Sequence, residues 1–202
     1  KLEFNVNKCR IMSYSRKVNT ILFNYKINDQ SLIRCTEFKD LGVVMDQSLS
    51  FTPHITHISE KAMRILGFII RNTKDFTNVD CIVMLYCAYV RSVLEYCSII
   101  WNPFYITHIQ VLEKVQRKFC KYAFYKKYGV YPIQGFSQHE LLNEFNLVHL
   151  QSRCEFSSVI FLHKLLHNII NDNVLLEQIC FYVPRSGSRN PRTFLCDMAR
   201  TN

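Results

Sequence analysis

Apolar and polar residues follow a period near two over the first fifty positions and a period near 3.6 after Phe51, so strands are predicted first and helices afterwards. Cys9-Arg10-Ile11-Met12-Ser13-Tyr14-Ser15 alternates apolar with polar, and Thr20 to Ile27 does so less strictly. Asn28-Asp29-Gln30 then supplies turn chemistry before Ser31-Leu32-Ile33-Arg34-Cys35, which predicts a hairpin over 20–35. Leu41-Gly42-Val43-Val44-Met45 predicts one more short strand, ended by Asp46. Gly42 inside it points to a bulge or a close backbone approach.

The helical part opens at Thr52-Pro53, a hydroxyl cap followed by a proline at the first helical position. Over 53–72, Ile55, Ile58, Ala62, Ile65, Leu66 and Ile69 share one face, and His57, Lys61, Arg64 and Arg71 share the other. A second helix, about 78–98, is capped by Thr77 or Asn78. It is apolar nearly all round, as expected of a central buried helix, with Arg91 and Glu95 forming an i,i+4 pair. A third, about 105–125, sets Ile109, Leu112, Val115, Phe119 and Tyr122 inward. Lys114, Arg117, Lys118 and Lys121 fall within about 100° of each other on its outer side. Lys126 and Lys127 extend that charge toward the loop Tyr128-Gly129-Val130-Tyr131-Pro132. Ser137 with Glu140 reads as a capping box, Leu150 to Ile170 as a longer helix, and Pro184 to Arg192 as a basic loop.

The predicted class is therefore α+β, with small N-terminal antiparallel β hairpins followed by a mainly α-helical bundle. Three parts are expected: 1–51, β-rich; 52–130, helical; and 131–202, a C-terminal helical extension with a basic tail. No internal repeat shows at any period from about 20 to 50 residues.

Charge sharpens the picture. The 202 residues carry a formal net charge of +9, and the excess is not spread evenly. Residues 104–130 hold +5 and residues 181–202 hold +3, while 131–180 hold −3. Clustered positive charge points to a polyanion or an acidic surface as partner. The longest apolar run, Cys81 to Val90, has ten residues against the ~20 that a membrane helix needs, so no membrane partner is expected. The nine cysteines are scattered, form no Cys-x-x-Cys and mostly sit among apolar neighbours, which predicts a reducing, intracellular setting in nucleus or cytoplasm. Lys1 in place of Met is expected to reflect a start inside a longer reading frame or a removed leader.

Tests for chemistry exclude several classes. There is no Gly-x-Ser-x-Gly, no glycine-rich phosphate loop, and neither Asp-Asp nor Asp-x-Asp, so the carboxylate cluster of a two-metal phosphoryl-transfer site is missing. His163 and His167 sit i,i+4 on a helix with Cys154 or Cys180 as further zinc ligands, yet no short-spaced pair supplies the other half of a site, and ordinary histidines are the better reading. What remains is two successive basic helix faces with tyrosines at 122, 125, 128 and 131, an arrangement suited to neutralising phosphates. A helical module that binds protein partners without catalysis is the alternative.

Several segments resemble the reverse transcriptases of non-LTR (LINE-type, jockey-like) retrotransposons. Asn5-Val6-Asn7-Lys8-Cys9-Arg10-Ile11 is similar to the motif that closes their palm. Phe38-Lys39-Asp40-Leu41-Gly42-Val43-Val44-Met45-Asp46, with Leu49-Ser50-Phe51 and His54-Ile55, is similar to the passage from palm to thumb. Leu85-Tyr86, Val90 to Cys97 and Ile100-Trp101-Asn102-Pro103 resemble the helix that follows, and Leu112 to Phe119 the next. The resemblance covers roughly 4–125 well and the rest more loosely. It implies that Lys8 lies near the incoming nucleotide as a general acid toward pyrophosphate, and that Leu41 and Gly42 grip the primer end. It further implies that Lys61, Arg64, Arg71, Lys114, Arg117, Lys118 and Lys121 hold template–primer duplex by its phosphates. The family's aromatic-Ala-Asp-Asp motif is absent, so the chain resembles the C-terminal part of such a polymerase: the end of the palm, the thumb and the post-thumb region. It is not expected to polymerise alone. The Mg2+ of the full polymerase, and a missing N-terminal portion as partner, belong to that expectation.

Overall fold

The computed structural model describes residues 5–15, 23–181 and Phe194. The start of the predicted 20–35 hairpin and most of the basic tail lie outside these residues. The chain divides into two compact units, Lys1–Glu155 and Phe156–Asn202. Its architecture is α+β, small two-stranded sheets followed by helices. No helix among the described residues is long and apolar enough to cross a membrane.

In the first unit, β1 (Arg10–Ile11) pairs in parallel with β4 (Ile33–Arg34), a long-range pairing that period-two patterning alone does not reveal. β2 (Lys26–Ile27) and β3 (Gln30–Ser31) form the expected hairpin, with Asn28 and Asp29 both at positive φ as its two-residue turn requires. β5 (Glu37–Asp40) and β6 (Val43–Asp46) form a second antiparallel hairpin, turned by Leu41 at φ 43° and Gly42 at φ 92°. Gly42 is thus a turn residue and not a bulge within a strand. The backbone must reverse in two residues with positive φ, and glycine takes the more extreme value.

α1 (Thr52–Asn72) begins one residue earlier than its proline suggests, and Thr52 is not its cap. Phe51 precedes it in the left-handed region and makes no side-chain cap. The carboxylate of Asp46 supplies the missing acceptors, taking hydrogen bonds from the Phe51 N–H at 2.8 Å, the Ser50 N–H at 3.2 Å and the Ser48 hydroxyl and N–H. Burial alone would raise the Asp46 pKa, but the bonds from Ser48, Phe51 and Ser50 outweigh it and hold it below the usual carboxylate value.

The next helix starts under an Asn78 cap, whose Oδ1 accepts from the Asp80 N–H at 2.9 Å. It runs as α2 (Val79–Leu85), a π turn (Tyr86–Arg91) and α3 (Ser92–Glu95). Ile82, Tyr86, Val90 and Leu94 are its buried residues, four apart. A regular α-helix would drift off one face at that spacing, and the wider π turn brings the stripe back into line. The helix is not buried all round: Met84 and Tyr89 are 63% and 58% exposed on its outer side. After Cys97 in the left-handed region, α4 (Ser98–Trp101) closes the segment.

α5 (Ile106–Tyr128) ends on Gly129, whose N–H bonds to the Tyr125 carbonyl at 2.8 Å. α1 and α5 lie side by side and run the same way. Thr52 Oγ1 and His108 Nε2 meet at 3.3 Å near their starts, and Thr73 and Tyr122 hydroxyls at 2.8 Å near the end of α1. The α2–α3 helix packs against both. Its Tyr86 ring stacks on Phe119 at 4.0 Å, and its hydroxyl donates to Gln116 Oε1 at 2.9 Å. Gln116 is fully buried and passes the contact on, its Nε2 donating to the Val148 carbonyl at 2.9 Å.

α6 (Gln138–Glu144) carries the predicted Ser137–Glu140 capping box. α7 (Leu150–Leu166) is shorter than its apolar pattern suggests, because Asn168 turns into the left-handed region soon after. α8 (Asn173–Glu177) lies in the second unit, capped by Asp172.

Candidate nucleic-acid interface

The apolar faces of α1 and α5 are committed to the core, and that fixes where their cations go. Ile55, Ile58, Ala62, Leu66 and Ile69 are buried on α1, so Lys61, Arg64 and Arg71 stand outward and exposed. Ile109, Leu112, Val115, Phe119 and Tyr122 are buried on α5, and Lys114, Arg117, Lys118 and Lys121 are all exposed. Among the described residues none of these seven cations takes part in an ion pair.

The carboxylate best placed to neutralise the α5 stripe is occupied elsewhere. Glu113 accepts from Gln138 Nε2 at 2.7 Å and from the Gln151 N–H at 3.3 Å, and lies 3.6 Å from His149. Glu95 likewise receives Arg153 and Arg91. Positive charge along the two stripes is therefore left for solvent or a ligand to balance. Lys126 and Lys127 do not extend the stripe into a loop. Both lie within α5, where Lys126 Nζ donates to the Lys74 carbonyl at 2.7 Å and Lys127 pairs with Glu144.

Lys61 also borders a groove of about 390 Å3 between the β5–β6 turn, α1 and α3. Lys39, Leu41, Gly42, His57 and Tyr96 complete its rim, so three expected site residues, Leu41, Gly42 and Lys61, come together there. The Tyr96 hydroxyl donates to the Leu41 carbonyl at 3.0 Å, while the Leu41 side chain is 85% exposed. Behind them His54 is buried. Its Nδ1 accepts from the Val44 N–H at 3.2 Å, so the neutral ring carries its proton on Nε2, which has no hydrogen-bond partner among the described residues. Burial, with the nearby positive charges of His57 and Lys39, depresses His54 to about 4.

A second groove, about 650 Å3, opens where α1 and α5 begin. Its lining has an apolar part that includes Leu49, Ile100 and Phe104, and a polar part that includes Ser50, Asn102 and His108. Trp101 also lines it. That ring is buried against His54 at 5.1 Å between centroids, so the two grooves are neighbours, Trp101 lining this one and His54 the other.

Lys8 is exposed in a single 3-10 turn, Val6–Lys8, and lines neither groove. Of the tyrosines near the basic stripe only Tyr122 is buried, and Tyr125, Tyr128 and Tyr131 are exposed while engaged with neighbours. Tyr125 stacks on Tyr131 at 4.6 Å, and the Tyr128 hydroxyl binds Glu144. The His163 and His167 rings lie 4.2 Å apart, and among the described residues no group of three or more metal-ligating side chains forms. Sequence reasoning passed over Lys39 and Tyr96 as site residues, because the first is one cation in a strand with both faces exposed and the second reaches its partner across 55 positions.

A comparison with protein-family models, with curated proteins and with solved structures finds no match to this chain.

Proposed function

We propose that this chain is the palm-end, thumb and post-thumb part of an RNA-directed DNA polymerase of the non-LTR retrotransposon type, and that it grips a template–primer duplex by its phosphates. The observation that carries this reading is the set of seven exposed cations on α1 and α5, none held in an ion pair among the described residues. Cations in that state bind a polyphosphate and release its counterions, whereas cations already paired with carboxylates would have to break those pairs first. The motif resemblance over roughly 4–125 supports the same reading. So does the meeting of Leu41, Gly42 and Lys61 at one groove beside Lys39 and His57.

In this reading Lys61 and Lys39 supply charge at the primer end, and the exposed Leu41–Gly42 turn approaches it closely. The stripes of α1 and α5 hold the flanking backbone. Lys8 is the general acid toward pyrophosphate only when joined to the rest of the polymerase. The magnesium of that polymerase is assigned to aspartates outside this chain. The chain works inside the cell, in nucleus or cytoplasm, together with the N-terminal polymerase portion.

Fluorescence anisotropy of a labelled RNA–DNA duplex, titrated with the chain at rising salt, tests this. Binding should weaken steeply, with log affinity falling by about 0.9 per neutralised phosphate for each decade of salt. Absence of binding at low salt, or affinity indifferent to salt, would overturn the proposal.

One observation favours a second reading, a helical module that docks protein partners: Met84 and Tyr89 present apolar surface outward on the α2–α3 helix. Stable self-association in size-exclusion chromatography without any affinity for nucleic acid would select it.

A further inference from the structure

The groove at the start of α1 and α5 carries features that duplex gripping does not use. Phe104 is 86% exposed and Tyr105 63%, so both rings stand largely in solvent beside the groove. They are not on a loose tip. Trp101, three residues before, is fully buried with its indole N–H bonded to the Tyr96 carbonyl at 2.8 Å, and Tyr105 opens the 23-residue α5. The two rings meet edge to face, 6.0 Å apart at 83°, so they are not stacked on each other and each keeps a face free of the other. His108 meets Tyr105 in the same manner at 5.7 Å.

We propose that this groove binds unpaired nucleotides, with bases stacked on Phe104 and Tyr105. The inference rests on the duplex-binding reading and adds to it a place for the single strand that continues beyond the duplex. Three observations select this occupant over a protein segment. The groove has hydrogen-bonding groups beside its rings, which suit base edges and sugar: the Asn102 amide, and the Ser50 hydroxyl and His108 imidazole, which also bond to Thr52. Among the described residues its lining holds no carboxylate, and Asp46 behind Ser48, Ser50 and Phe51 is taken up by their hydrogen bonds. The cationic groove of Lys39, His57 and Lys61 is its neighbour, since His54 of that groove packs against Trp101 of this one at 5.1 Å between ring centroids. Stacking on aromatic faces tolerates any base, as a polymerase template requires.

Trp101 is the only tryptophan of the chain and lines this groove, so its fluorescence reports occupancy directly. The full chain is titrated with three probes: a blunt RNA–DNA duplex, the same duplex with a short single-stranded overhang, and the overhang sequence alone. The overhang should tighten binding by about tenfold for each base stacked, and quench Trp101. Phe104→Ala with Tyr105→Ala should abolish that gain and leave blunt-duplex affinity and far-UV circular dichroism unchanged, while Phe104→Tyr, which keeps a ring, retains it. An overhang that adds nothing while the blunt duplex still binds overturns this inference and spares the duplex reading. Failure of the blunt duplex alone overturns the duplex reading. Single-strand binding that needs both rings would then still uphold the groove assignment, and its absence would end that too. Self-association that the double alanine variant loses, with no oligonucleotide effect, reassigns the groove to protein and overturns the proposal.

Discussion

The phenol of Tyr96 donates a hydrogen bond to the backbone oxygen of Leu41 at 3.0 Å, tying the end of the α2–α3 helix to the tip of the β5–β6 hairpin. The same ring limits what the neighbouring position tolerates. A Cβ added at Gly42 would stand 3.2 Å from Tyr96 Cε1.

Gly42→Ala therefore meets two penalties, a backbone at φ 92° and a crowded ring. We expect it to cost about 1–2 kcal/mol of stability, read by calorimetry as a fall in Tm of roughly 2–4 °C per kcal/mol. Tyr96→Phe removes only the bond to Leu41 and should loosen the turn, weakening duplex binding while leaving helicity intact. Unchanged Tm in Gly42→Ala would mean that the turn is more yielding than this geometry allows.

His54 should make stability depend on pH. Its folded pKa, depressed to about 4, lies below the ordinary 6.5, so the unfolded chain takes up a proton first as pH falls. The stabilisation is fully present above about pH 6.5 and is lost progressively down to about pH 4, to a total on the order of 3 kcal/mol. Denaturant melts at several pH values should show this slope. His54→Gln, which keeps an acceptor for the Val44 N–H, should flatten it.

Asp46 replaces the missing side-chain cap of α1. Asp46→Ala removes the acceptor of the part-buried N–H bonds of Ser50 and Phe51, and we expect a loss of about 1–2 kcal/mol in urea unfolding. Asp46→Asn keeps one acceptor oxygen and should lose less. Because the folded pKa is held down, the wild-type advantage exists above the ordinary carboxylate pKa and disappears as pH falls through the lowered one.

Lys114→Glu with Lys121→Glu reverses charge at two exposed positions that take part in no ion pair among the described residues. Duplex affinity should drop by at least tenfold at low salt, and the salt slope should become shallower. Circular dichroism should not change, since neither side chain packs in the core. A collapse of helicity would make the stripe structural.

Where function and local chemistry coincide, the chain was readable. The Ser137–Glu140 box, the Asn78 cap, the Asn28–Asp29 turn and the inner stripe of α5 all follow from residues within four positions of one another. Features set by distant partners were not. The Leu41–Gly42 turn was read as strand because β5 exposes both its faces and shows no period of two. Thr52 was read as a cap because Asp46, six residues back, does that work from the end of a strand. The outer side of the α2–α3 helix looked buried because its composition is apolar all round, and the π turn that selects one face leaves no mark in periodicity. At the candidate site, the cationic stripes were visible at 100° per residue. The openness of Phe104 and Tyr105 was not, since it depends on how Trp101 and the start of α5 hold them.

The side-by-side, same-direction arrangement of α1 and α5 has a consequence for the order of events during synthesis. Two antiparallel neighbours can zip together through a short turn, but these two must wait for the whole intervening stretch to emerge. Until then α1 lacks one of the helices that complete its buried face, so a chain cut before Phe119 should be a client for chaperones and proteases.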